Sequence, residues 1–126
     1  MQFTRKFKFD AAHTLMKDFG KKETQLHGHT YGLEITIEGQ VKNGRVVDLN
    51  KLREIVQEEV IEILDHSYLN DHIDVPSAEN IAVWTWNKLE GKLEGLYEIK
   101  VYETESHWVT YRGNEGKNNE EKLKRD

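Results

Sequence analysis

A change of hydrophobic period at Asp48 constrains this chain more than any other feature. Before it, "FTRKFKF" (3–9) and "YGLEITIEGQV" (31–41) alternate apolar with polar residues. Leu33, Ile35 and Ile37 fall on one face, and Glu34, Thr36 and Glu38 on the other. A period of two marks a half-buried strand. From Asp48 to Leu64 the apolar residues Leu52, Ile55, Val56, Val60, Ile63 and Leu64 recur at steps of three and four. That is an amphipathic helix, with Asn50 placed to cap it. A second helix is expected from Ser77, just past the single proline, to about Leu93, with Ala82, Trp86, Leu89 and Leu93 along one face. "YEIKVYE" (97–103) and "HWVTYR" (107–112) return to strand. Asn43-Gly44 reads as a hairpin turn, so a return strand is expected near Arg45.

Strands, two helices and strands again imply an α+β fold with an antiparallel sheet. A chain of 126 residues fits one domain, taken as 1–113. Residues 114–126, polar throughout with no core face, read as a disordered tail. A sheet with both helices on one face leaves two open edges and a bare face. Such edges are blunted or paired, which implies a homo-oligomer.

The chain has no cysteine. Disulfides, thiolate metal sites and a cysteine nucleophile are excluded, and any metal site must use His, Asp or Glu. The net charge of −5 argues against nucleic acid as the main partner. No apolar run has the length of a bilayer span, so no membrane partner is expected. "MQFTRKFKF" lacks the apolar block of a signal peptide, and a cytoplasmic location is the expectation.

His27 and His29 flank Gly28 at the start of the second strand. In an extended segment both imidazoles project on one face, where they suit a divalent metal; surface or core histidines fit the same pattern. His13, in "FDAAH", supplies a third ligand if the first two strands pair. Three imidazoles on Zn²⁺ leave one position open, as catalytic zinc sites do. Adjacent Asp65 and His66 read either as a proton-transfer dyad or as a polar helix end favoured by the helix dipole. Glu103, closing the strand "IKVYE", reads as an acceptor for a planar amidine-like edge or as a solvated turn acid.

"FDAAH", "LHGHTYGLEITIEG", "VVDLNKLREIV", "LDHSYLND", "PSAENIAVW" and "VYETESHWVTY" occur in that order. Together they resemble the 6-pyruvoyltetrahydropterin synthase family, which includes the 6-carboxytetrahydropterin synthases, over residues 1 to about 113. The resemblance implies the tunnelling fold, a four-stranded antiparallel sheet with two helices on one face. Three subunits then close into a barrel, two trimers commonly stack into a hexamer, and active sites lie between subunits. It implies His13, His27 and His29 as the ligands of Zn²⁺ and Asp65 with His66 as the proton-transfer pair. Glu103 is implied as the anchor of the pterin ring, with Ser77 among further ring contacts.

One position departs from the family pattern. The familiar synthases carry a catalytic cysteine four residues before HGH, where this chain has Glu23. Relatives with glutamate near that position, some of them one residue closer to HGH where Thr24 stands here, are associated with cleavage of 7,8-dihydroneopterin. The products are 6-hydroxymethyl-7,8-dihydropterin and glycolaldehyde. The expected activity is therefore a zinc-dependent pterin aldolase with Glu23 as base. The alternatives are a 6-pyruvoyl- or 6-carboxytetrahydropterin synthase acting on the triphosphate, with Lys17, Lys21 and Lys22 near it, or an inactive pterin-binding oligomer.

Overall fold

The computed structural model describes residues 1–15 and 26–113, with the side chain of His27 excepted. Strands β1 (Gln2–His13) and β2 (His27–Glu38) form an antiparallel pair in unbroken register from Gln2 opposite Glu38 to His13 opposite His27. β4 (Leu96–Thr104) lies against β2 and β5 (His107–Tyr111) against β4, both antiparallel. These are the four expected strands. To them the fold adds β3, a two-residue strand (Ser67–Tyr68) parallel to Ala11 and Ala12. The sheet is therefore five-stranded and mixed, in the order β3-β1-β2-β4-β5.

Odd-numbered residues of β1 and β2 turn toward the helices. Phe9, Ala11, His13, Tyr31, Leu33, Ile35 and Ile37 are buried there with Ile99 and Val101 of β4. The opposite face carries Lys6, Lys8, Asp10, Thr30 and Glu34, exposed or half-buried. There Thr4 and Thr36 share a hydrogen bond of 2.7 Å.

Helix α1 (Leu49–Val56) starts one residue before the expected cap. Asp48, not Asn50, is the N-cap: its Oδ1 accepts from Asn50 N at 3.0 Å and Lys51 N at 3.3 Å. Both residue types cap well, and the one standing outside the first helical turn does so. The helix runs on through a π-helical stretch, Gln57–Ile61, into Glu62–Leu64. Leu52, Val56, Val60 and Leu64 are all fully buried. Steps of four in an α-helix drift by about 40° each; the wider π turn takes that drift back and also buries Ile61.

Helix α2 (Ala78–Leu89) packs on β4 and β5. It ends short of Leu93 because the chain turns left-handed at Gly91 (φ 86°), although Leu93 remains buried. The Asn43-Gly44 turn forms with both φ positive, as the hairpin chemistry requires. The expected return strand does not follow; one bridge, Lys42 to Arg45, is all that forms. Beyond it the chain enters the Asp48 cap.

Candidate active site

The paired ends of β1 and β2 carry the first cluster. His13 is fully buried, and its Nδ1 stands 2.8 Å from the Pro76 carbonyl. A carbonyl only accepts, so Nδ1 bears the proton and Nε2 presents its lone pair. Such a hydrogen bond is the usual means of fixing a metal-binding imidazole. The Tyr31 hydroxyl lies 3.1 Å from the same Nδ1. Burial first, and the Glu103 carboxylate second, hold the Tyr31 phenol well above its ordinary pKa, so it stays protonated.

His29 and Glu103 complete this cluster. Gly32 is paired with Tyr102, which brings Glu103, one step on, to the cluster end of the sheet. Glu103 Oε1 is 3.0 Å from His29 Nε2 and 3.7 Å from His13 Nε2. The two imidazoles meet edge to face, with ring centroids 5.5 Å apart. All three donor atoms lie within 4.8 Å of one another. Two ligands of one tetrahedral zinc, each about 2.0–2.1 Å from it, are about 3.4 Å apart. The spacing and the nitrogen–oxygen donor set therefore fit such an ion. His27 is opposite His13 in the register, while its side chain lies outside the described residues. Ser77 caps α2, its Oγ accepting from Asn80 N at 3.2 Å; it follows directly on Pro76, whose carbonyl holds His13.

Asp65 and His66 form a separate cluster, joined by Asp10. Asp65 Oδ2 stands 3.0 Å from His66 Nδ1. Asp65 Oδ1 accepts from Asp10 N at 2.9 Å, and His66 N donates to Asp10 O at 2.6 Å. His66 adopts a left-handed backbone, φ 58°, uncommon for a residue with a side chain. The Asp10 N–H first, and His66 after it, lower the Asp65 pKa below its ordinary value. The Asp10 carboxylate accepts from Thr30 Oγ1 at 2.5 Å. An open cavity of about 500 Å³ borders Asp10, Ala12, Gly28, Thr30, His66 and Ser67 and also reaches Ala11 and His29. Asp10 and His13 are of opposite parity on β1, so the two clusters use opposite faces of the sheet.

The segment after the dyad follows the end of β1. β3 runs beside Ala11 and Ala12, and the Tyr68 hydroxyl meets Thr14 Oγ1 at 2.9 Å. The Asn70 side chain then accepts from Thr14 N and donates to Thr14 O, both at 2.9 Å. One amide thus makes both hydrogen bonds of a missing strand partner. Asp10, Thr30, Tyr31 and Asn70 were not singled out from sequence. The signals were present for Tyr31, which shares the parity of His29, and for Asp10, which lies in "FDAAH". Glu23, Thr24, Lys17, Lys21 and Lys22 lie outside the described residues.

Sequence and structure comparisons place the chain among known proteins. A sequence model described as "6-pyruvoyl tetrahydropterin synthase" matches residues 2–114. The chain is 35% identical over 128 residues to the 6-pyruvoyl tetrahydrobiopterin synthase of Dictyostelium discoideum, covering 87% of this chain and 94% of that protein. It is 40% identical over 92 residues to the dihydroneopterin monophosphate aldolase of Pyrococcus furiosus, covering 73% and 77%. The structure of Caenorhabditis elegans 6-pyruvoyl tetrahydropterin synthase superposes with a TM-score of 0.83 at 29% identity, over 90% of this chain and 95% of that one. Matched by that model over residues 2–114 and by the Dictyostelium enzyme at 35% identity, the chain belongs to the 6-pyruvoyl tetrahydropterin synthase family.

Proposed function

We propose that the protein is a zinc-dependent pterin aldolase. It would cleave the side chain of 7,8-dihydroneopterin, or of its monophosphate, between C1′ and C2′. The observation that carries this choice within the family is Glu23 four residues before His27 in a chain without any cysteine. The Pyrococcus furiosus relative, named for an aldolase of dihydroneopterin monophosphate, supports the same reaction class.

His13, His27 and His29 would hold the zinc, which supplies Lewis acidity toward the side-chain hydroxyls. Glu103 accepts from the amino group and adjacent N–H of the ring, and Ser77 with its neighbouring backbone lines the ring's edge. Glu23 takes the proton of the 2′-hydroxyl. The C1′–C2′ bond breaks as C2′ becomes an aldehyde, and its electrons pass into the C6–N5 imine of the dihydropterin. His66, oriented by Asp65, returns a proton to C1′. The products are 6-hydroxymethyl-7,8-dihydropterin and glycolaldehyde, or glycolaldehyde phosphate from the monophosphate. Because the dyad uses the opposite sheet face from the imidazoles, the complete site is read as lying between subunits of a trimer or hexamer. Among the described residues no helix is long and apolar enough to cross a membrane; a cytoplasmic location is part of this proposal.

The test gives zinc-loaded protein 7,8-dihydroneopterin, its monophosphate and its triphosphate separately, with products resolved by chromatography. Release of glycolaldehyde or its phosphate, abolished in Glu23→Gln while zinc is retained, is expected. Elimination of triphosphate with no aldehyde release would make the protein a synthase instead. No turnover of any of the three would make it a binding protein.

A further inference from the structure

Glu103 stands closer to the imidazoles than a ring anchor needs to be. Its Oε1 is 3.0 Å from one Nε2 and 3.7 Å from the other, separations that straddle the edge of a zinc coordination tetrahedron, about 3.4 Å. Both imidazole nitrogens lie close to the same carboxylate oxygen. The Pro76 carbonyl fixes the His13 ring from behind, at Nδ1, which leaves Nε2 on the Glu103 side. At these separations one carboxylate oxygen and the two nitrogens can share the coordination sphere of a single cation.

We propose that Glu103 is itself a ligand of the cation in the substrate-free site and gives up that position when the pterin ring arrives. The inference rests on the zinc and pterin reading above and deepens it. With the three histidines of the zinc reading above, a carboxylate makes a closed set, and closed sets belong to structural zinc; catalysis needs an open position. Here one carboxylate serves both states. Bound to the cation, it fills the position that a substrate hydroxyl must enter. The paired N–H donors of the ring, presented to the same oxygens, compete for it by charge-assisted hydrogen bonds. The position opens only when a pterin is in place, so recognition of the ring and access to the cation become one event. Linkage then sets a sign: a ring that takes Glu103 and offers the cation nothing in return must weaken the cation's binding.

The experiment uses Co²⁺, whose visible absorption reports coordination, and 6-methylpterin, which has the ring but no side-chain hydroxyl. Co²⁺ is titrated into the wild-type oligomer, Glu103→Gln and His29→Ala, each with and without the pterin. Removing the ligand should weaken Co²⁺ binding by about tenfold or more and change the absorption band. 6-Methylpterin should move the wild-type spectrum toward that of Glu103→Gln and lower its Co²⁺ affinity, with no such effect in the variant. Wild-type affinity and spectrum in Glu103→Gln would overturn the inference, as would pterin bound to wild type with the spectrum unmoved. Should Glu103→Gln fail to fold, Glu103→Asp, which withdraws the carboxylate by one methylene, is expected to show the same weakening. Failure of the underlying reading looks different: wild type would then take up no Co²⁺, or His29→Ala would bind it equally well. Either result removes the inference with it.

Discussion

His13 and Asp10 stand three residues apart on β1, yet they organise opposite kinds of site. Around His13 the groups are buried or half-buried and directed: a carbonyl sets the tautomer, a protonated tyrosine closes one side, and the donor atoms converge. Around Asp10 the dyad is open to solvent, with the His66 side chain 79% exposed, and is held mainly by main-chain hydrogen bonds. As the proposed metal centre, the His13 region needs ligands whose geometry is set before the ion arrives, and low dielectric helps it. As the proposed proton-transfer pair, Asp65 and His66 need contact with substrate and water, which a fixed backbone with an accessible side chain allows. The alternation of one strand serves both, since it delivers neighbouring residues to different environments.

The sharpest way to break this comparison is to damage one region and measure the other. His13→Ala should abolish tight metal uptake, with turnover lost alongside. It should also cost about 1–3 kcal/mol of stability, because the Pro76 carbonyl is left without its buried donor. Asp65→Asn should lower turnover by roughly 10²–10⁴-fold while metal content, measured by atomic absorption, stays at wild type. Metal lost from Asp65→Asn as well would show that the two regions are one unit.

A smaller effect asks what joins them. Asn70→Ala removes both hydrogen bonds to Thr14, which should lower stability by about 1–3 kcal/mol in urea melts. It should also loosen metal binding, because Thr14 follows His13 directly. Lys92→Met, which breaks the 2.7 Å pair with Glu59 far from β1, serves as the control. Equal metal affinity in both variants would deny that the 65–77 segment couples the regions.

The smallest expected effect is in acid. The folded protein holds the Asp65 pKa below its ordinary 3.8, so it binds fewer protons there than the unfolded chain. The resulting stabilisation is complete at pH values above 3.8 and fades as pH falls through the lowered value. Thermal melts of Asp65→Asn should therefore decline less steeply with acidification below pH 4 than those of the wild type. The group is solvent-exposed, which keeps the difference modest. A steeper decline in the variant would reverse the assignment.

Much of this arrangement was legible in the residues, and the exceptions share a cause. Alternation located β1, β2, β4 and β5 because each buries one face over many residues. β3 escaped because two residues have no period. The string Leu52, Val56, Val60, Leu64 announced a helix but not its π turn, since steps of four read alike in both. Among the site residues, His13, His29 and Glu103 were named, and the fold brings them together. The Pro76 carbonyl that orients His13 could not be found that way: every residue has a carbonyl, and only the fold chooses one. The same holds for Asp10, which grips the dyad through its own N–H and C=O. Asn70 acts through its side chain, but the backbone it completes is set by tertiary placement.

The π turn has a further meaning when the helix is regarded as a rotating shaft. Each α-helical residue advances about 100° around the axis, so one residue more or fewer changes the angle at which the chain leaves the helix. Asp65 lies directly after that helix and must leave it facing Asp10, with Asp65 N still bonded to Ile61 O. The extra residue held in Gln57–Ile61 therefore sets the phase of delivery as well as the packing. Deleting one residue there would leave a more regular helix that points its acid and its histidine at the wrong part of the sheet.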